Sequence, residues 1–190
     1  MESFLIATGV VALAEIGDKT QLLSLILAAK YRKPWPICIG ILLATIVNHA
    51  LAGFVGELIA SWLTPEVMHW VVVASLGAMA IWTLVPDKMD DDGVSKRGHH
   101  GIIVTTIITF FLAEMGDKTQ IATVVLAAHY QPLWAVVAGT TVGMLLANVP
   151  VVVLGSRFAD RLPLKATRMA AAALFAALAI WIAVSGTPAM

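Results

Sequence analysis

One eight-residue stretch, Ala14-Glu15-Ile16-Gly17-Asp18-Lys19-Thr20-Gln21, returns as Ala113-Glu114-Met115-Gly116-Asp117-Lys118-Thr119-Gln120 with a single change, Ile16 to Met115. Each copy sets two carboxylates and a lysine inside a long apolar run, where a charge is expensive to bury and is retained for function. The recurrence extends well beyond the motif. Tyr31 and Tyr130, Trp35 and Trp134, Gly40 and Gly139, Gly56 and Gly155, and Ile81-Trp82 and Ile180-Trp181 all share the same separation of 99 residues, with no gap. The chain is therefore one unit used twice.

Composition says where such a chain resides. It is 59% hydrophobic and only 13% charged, with a mean hydropathy of +0.89, against about 25% charged residues in a soluble domain. These values define an integral membrane protein. The formal net charge is zero and no basic tract with interleaved aromatics occurs, which leaves no basis for a nucleic-acid partner. The single cysteine, Cys38, excludes an intramolecular disulfide. The first apolar run follows Glu2 without a preceding basic residue and is interrupted by the motif, so it is expected to stay in the mature protein rather than act as a cleaved signal.

Six apolar segments can be drawn, over residues 3–29, 35–56, 68–85, 102–128, 133–155 and 167–185. Each is near or above the roughly 20 residues that cross a bilayer as a helix. The predicted fold is an all-α membrane protein. Residues 1–86 form a first three-helix repeat, 87–101 a cytoplasmic linker, and 102–190 a second three-helix repeat. Three is an odd number, so the second unit must cross in the opposite sense, giving two inverted repeats about an axis in the membrane plane. Apart from Lys19 and Lys118, the ten Lys and Arg residues all fall at the first, third and fifth connections. The positive-inside rule puts those connections in the cytoplasm and both termini in the periplasm. The linker carries Asp90-Asp91-Asp92 and His99-His100, which read as a solvated connection rather than a metal site because neither group has ligand spacing on a defined element.

The motif then specifies chemistry. On a helix Glu15 and Asp18 share a face, and Lys19 lies one turn beyond Glu15. Gly17 removes a side chain between the carboxylates, allowing close backbone approach or a break, and Gly116 does the same in the second copy. The motif-bearing segments are about 27 residues and so about 40 Å long, more than the ~30 Å hydrocarbon core. Strong tilt or a break at the motif absorbs the excess. Inverted repeats would bring Glu15, Asp18, Glu114 and Asp117 together near mid-membrane. With Lys19 and Lys118 the formal charge there is −2 when all groups are ionised, which one divalent cation or two protons would neutralise. Clustered carboxylates make protonation accessible, and oxygen ligands favour hard cations such as Mn²⁺ and Ca²⁺. The two lysines are read as charge partners, pairing with the glutamates or alternating between partners. Candidate additional ligands are Gln21, Gln120, Thr20, Thr119, Asn48 and Asn148. The two asparagines are not equivalent, since Asn48 aligns with Ala147 and Asn148 with His49; for each, interhelical hydrogen bonding stands beside ligation. Pro150 adds a freed helix carbonyl on one half only. His49 is expected to pack or hydrogen-bond.

Two copies of Glu-x-Gly-Asp-Lys-Thr in a six-segment chain of this length resemble the Gdt1-like family of cation/proton exchangers, and bacterial manganese exporters of the MneA type in particular. The resemblance covers essentially the whole chain, and neither motif departs from the family pattern. It implies a bacterial inner-membrane protein that exports Mn²⁺, or Ca²⁺ in some members, in exchange for protons. It implies no cofactor: the divalent ion and the protons are transported partners, with a homodimer as a further candidate partner. The resemblance assigns the motif roles to Glu15, Gly17, Asp18, Lys19 and Thr20 and to Glu114, Gly116, Asp117, Lys118 and Thr119. Two other readings compete. A passive cation channel would need a continuous polar path, whereas Leu, Ile, Val and Ala flank the motifs. An intramembrane aspartyl hydrolase would use Asp18 and Asp117 as a dyad, but a lysine beside each favours both being ionised rather than sharing a proton.

Overall fold

The computed structural model describes residues 1–85, 101–155 and 164–185. Linker residues Asp90-Asp91-Asp92 and His99-His100, and Arg157 and Arg161 of the fifth connection, lie outside the described residues. Among the described residues there are eight helices and no strand. They are α1 (Glu2–Glu15), α2 (Lys19–Tyr31), α3 (Pro34–Trp62) and α4 (Pro65–Trp82), then α5 (Ile102–Glu114), α6 (Lys118–His129), α7 (Leu133–Leu154) and α8 (Leu164–Ser185).

The expected first segment is two helices, α1 and α2, and the fourth is α5 and α6; both breaks fall at the motif. The break, and not tilt of a continuous helix, takes up the excess length. α3, α4, α7 and, from Arg168, α8 are each long and apolar enough to cross a membrane. One boundary differs from expectation. The second segment does not end at Gly56; α3 continues to Trp62, so only Leu63 and Thr64 separate it from α4. Nothing between Glu57 and Trp62 stops a helix, and Glu57 and Ser61 simply face outward. The stop is set by the start of the next helix. Thr64 caps α4, its Oγ1 accepting from the Val67 N–H at 3.4 Å, and Pro65 occupies the first turn.

The molecule is apolar outside and polar within. Ile39, Leu43, Val47, Leu51, Phe54 and Leu58 of α3 are all exposed, while Thr45, Asn48 and His49 on the same helix are fully buried. An apolar face this long is left open only where lipid covers it. Two apolar clusters flank the polar interior. One joins α1, α4, α6 and α8 through residues such as Val10, Leu76, Leu126 and Phe175. The other joins α1, α2, α3, α5 and α7 through Val11, Leu27, Ile41, Phe110 and Met144.

Each half-helix of one unit leans on the long helix of the other. α1 and α2 pack on α7, and α5 and α6 pack on α3. Small residues set the approach. A Cβ on Gly40 would meet Thr106 and the Ile103 carbonyl, and one on Gly139 would meet Ala7 and the Phe4 carbonyl. Ile103 and Phe4, like Thr106 and Ala7, are partners under the 99-residue separation, so the two interfaces repeat one contact.

Gly56 marks the tightest approach, with a Cβ there lying 2.2 Å from the Val124 carbonyl oxygen of α6. Backbone cannot yield as a flexible side chain does, so Gly56→Ala should lower stability by about 1–3 kcal/mol. Gly77→Ala, where nothing lies within 4 Å, should leave stability unchanged or raise it by about 0.5–1 kcal/mol. Thermal unfolding of the two variants side by side in detergent checks the contrast.

Candidate ion site

The break that builds the site is a tight turn written into the motif. After Glu15, Ile16 takes φ −66° and ψ 117° and Gly17 takes φ 82°. The Asp18 N–H then donates back to the Glu15 carbonyl at 3.0 Å. These are the features of a type II turn, whose third residue needs positive φ and hence glycine. The second copy is the same device: Met115 has φ −64° and ψ 120°, Gly116 φ 74°, and the Asp117 N–H donates to the Glu114 carbonyl at 3.1 Å.

The glutamine that ends each motif closes the turn. Gln21 Oε1 accepts from the Gly17 N–H at 2.9 Å, and Gln120 Oε1 accepts from the Gly116 N–H at 2.7 Å. Each glutamine then reaches the other unit with its amide. Gln21 Nε2 donates to the Ala147 carbonyl at 3.1 Å, and Gln120 Nε2 donates to Asn48 Oδ1. Asn48 and Ala147 are the positions that align under the repeat. Both glutamines, expected as candidate ligands, thus have their oxygens engaged in the turn.

The aspartates cap the second half-helices, Asp18 before α2 and Asp117 before α6, where Asp117 Oδ1 accepts from the Lys118 N–H at 2.6 Å. The helix dipole favours an anion there. Both aspartates are 2% exposed, and each meets the lysine of the opposite motif. Lys118 Nζ lies 2.7 Å from Asp18 Oδ1, and Lys19 Nζ lies 3.4 Å from Asp117 Oδ2. The expectation that the lysines pair with the glutamates is therefore corrected: lysine and aspartate start their half-helices in adjacent positions, so the crossing of two such ends brings each ammonium to the partner unit's cap. The pairs are unequal. The Lys118 side chain is 4% exposed and that of Lys19 is 27% exposed.

The glutamates end α1 and α5 and are both fully buried. Glu114 Oε1 lies 2.5 Å from His49 Nε2, and Glu15 Oε1 lies 3.4 Å from Asn148 Nδ2. His49 and Asn148 are equivalent positions, so each unit's long helix presents one polar side chain to the other unit's glutamate. Asn148 is fixed further by Ser24 Oγ, which donates to its Oδ1 at 2.7 Å, and its amide also reaches the Met144 carbonyl at 3.1 Å. Both asparagines make interhelical hydrogen bonds here. The role of His49 opposite a carboxylate was visible only as its alignment with Asn148. Pro150 lies inside α7.

The two lysine–aspartate pairs and the two glutamate contacts all join one unit to the other. Among the described residues, however, no three His, Cys, Asp or Glu side chains converge as a ready set of metal ligands. Four matched oxygens have no hydrogen-bond partner within the protein: Oε2 of Glu15 and Glu114, and Oγ1 of Thr20 and Thr119. The expected residues are thus gathered into one buried polar layer, with the aspartates held by lysines and the glutamates each half-satisfied.

A membrane protein with paired, broken, charge-bearing helices is the architecture of an ion transporter. The description "Divalent cation/proton antiporter GDT1" matches residues 3–91 and again residues 102–189, and the chain belongs to the GDT1 family. It is a transporter family, so the aspartyl hydrolase reading falls; in keeping with this, each aspartate meets a lysine. The chain is 52% identical to a protein of Vibrio cholerae serotype O1 described as "Putative manganese exporter", over 95% of this chain and 90% of that one. It is 29% identical to a GDT1-like protein of Synechocystis, over 90% and 91% of the two chains. It is 22% identical to the divalent cation/proton antiporter GDT1 of Saccharomyces cerevisiae, over 92% and 81%. No solved structure matches the chain significantly.

The unequal pairs make a stability test. Lys118→Met removes the ammonium held against Asp18 in a nearly dry site and should cost about 3–5 kcal/mol. Lys19→Met should cost clearly less, because its pair with Asp117 is longer and its side chain is less buried. Adding Asp18→Asn to Lys118→Met should restore part of the loss, read as unfolding midpoints in detergent.

Proposed function

We propose that this protein exports divalent cations, Mn²⁺ or Ca²⁺, from the bacterial cytoplasm in exchange for protons. It works by alternating access at a site built from Glu15, Asp18, Glu114 and Asp117. On this reading α1–α2, α3 and α4 form one three-helix unit and α5–α6, α7 and α8 the other, inverted in an inner membrane that the chain spans six times. Both termini then face the periplasm, and residues 87–101 face the cytoplasm.

The observation that carries the reading is the crossed pairing of Lys118 with Asp18 and Lys19 with Asp117. An ammonium and a divalent cation compete for the same aspartate oxygens, so the lysines stand in for the cargo. Entry of a cation requires the lysines to yield, which draws the aspartates toward the partnerless Oε2 atoms of Glu15 and Glu114. Thr20 and Thr119 offer neutral hard oxygens beside them, suited to Mn²⁺ and Ca²⁺. Proton uptake by the glutamates lowers the negative charge that holds the cation. Either protons or metal then occupy the layer, and this mutual exclusion is what couples the two fluxes. A passive channel would need the layer to stay open, whereas all four carboxylates are sealed from solvent.

Purified protein in liposomes with an imposed pH gradient tests the exchange, following Mn²⁺ and Ca²⁺ separately. The gradient should drive metal movement, and Glu15→Gln and Asp117→Asn should each abolish it. Metal flux indifferent to the pH gradient would establish a channel instead.

A further inference from the structure

A second pair of metal-binding side chains lies away from this layer. At the end of the bundle formed by the α3–α4 and α6–α7 turns, a cavity of about 230 Å³ is lined by His69, His129 and Met68, with Leu63, Pro65 and Ala128. His69 comes from the first turns of α4, and His129 is the last residue of α6. The two therefore belong to different units of the repeat. His69 is 5% exposed, and its Nδ1 has no hydrogen-bond partner within the protein. A buried imidazole nitrogen left without a partner is costly unless something else binds it.

Each ring is held by an aromatic neighbour. His69 stands edge-on to Trp70 with centroids 5.4 Å apart, and His129 edge-on to Tyr130 at 4.7 Å. The cavity has room for several waters at about 30 Å³ each.

We propose that His69 and His129 form a binding site for a divalent late transition-metal ion, such as Zn²⁺ or Ni²⁺, bridging α4 and α6 with water completing the coordination. Imidazole nitrogen, with a thioether nearby, selects these ions over the hard Mn²⁺ and Ca²⁺. The ion would tie the third helix of one unit to a half-helix of the other, a contact that relative motion of the units must change. The site is distinct from the carboxylate layer in both its ligands and its preferred metal.

The test uses the full chain in detergent, free of any affinity tag and carrying His99→Ser and His100→Ser so that those histidines do not compete. Zn²⁺ is titrated calorimetrically at neutral pH in excess Ca²⁺, which occupies hard oxygen sites. One Zn²⁺ should bind, and His69→Gln and His129→Gln should each weaken it roughly tenfold or more, a loss of about 1.4 kcal/mol per tenfold. Glu15→Gln, in the separate layer, should leave it unchanged, so failure here is distinguishable from failure of the exchanger reading. A variant that misfolds is replaced by following Zn²⁺ protection of the parent protein's histidines from diethyl pyrocarbonate, where His69 and His129 should be shielded together. No binding by the parent, unchanged affinity in both histidine variants, or modification of both histidines despite Zn²⁺ would overturn the site.

Discussion

Two buried aspartates, each paired with a lysine, organise this molecule. A carboxylate at 2% exposure cannot be left to bulk water, and the lysine beside it in its own motif points along the same half-helix. The structure resolves this by crossing: each motif supplies the cation for the other's aspartate. Crossing requires two broken helices whose second halves begin face to face. That in turn requires each half-helix to seat against the other unit's long helix, which the glycines of α3 and α7 permit. The fold is thus interlocked about its charges rather than assembled from two self-sufficient halves.

The same crossing turns a repeat into an asymmetric machine. Position 49 and its counterpart 148 both address a glutamate across the interface, but one is histidine and the other asparagine. The His49–Glu114 contact is 2.5 Å long, whereas the Asn148–Glu15 contact at 3.4 Å is a weak bond from an amide. The two glutamates therefore differ in their partners, an imidazole for Glu114 and an amide for Glu15.

Much of this was legible in the residues. The constant separation of 99 residues revealed the two units, and the length of the motif-bearing runs against the bilayer demanded either tilt or a break. Gly17 and Gly116 marked where the break falls, because a type II turn needs them. The partner of each lysine was not legible: Lys19 sits one turn from Glu15 on an ideal helix, and only the turn at Gly17 swings it away to Asp117. The extent of α3 was misread for a similar reason. Glu57 looked like the end of a span, yet a charge on the outer face of a long helix stops nothing without a capping residue. The engagement of Gln21 and Gln120 with the glycine amides was hidden too, since a glutamine near carboxylates looks like a ligand until the turn that it closes is known.

The inequality of the two lysines suggests an order of events. Lys19 is the looser of the pair, at 3.4 Å and 27% exposed, and Lys118 the tighter, at 2.7 Å and 4% exposed. Pulling an ammonium from a close, deeply buried pair costs far more than pulling one from a longer, less buried pair, because the lost attraction falls with distance and with the local dielectric. In the proposed exchange, Lys19 would therefore leave Asp117 more readily than Lys118 would leave Asp18. Two copies of one motif thus hold their ammonium groups unequally, one against a nearly fully buried carboxylate at 2.7 Å and one in a longer, more open pair at 3.4 Å.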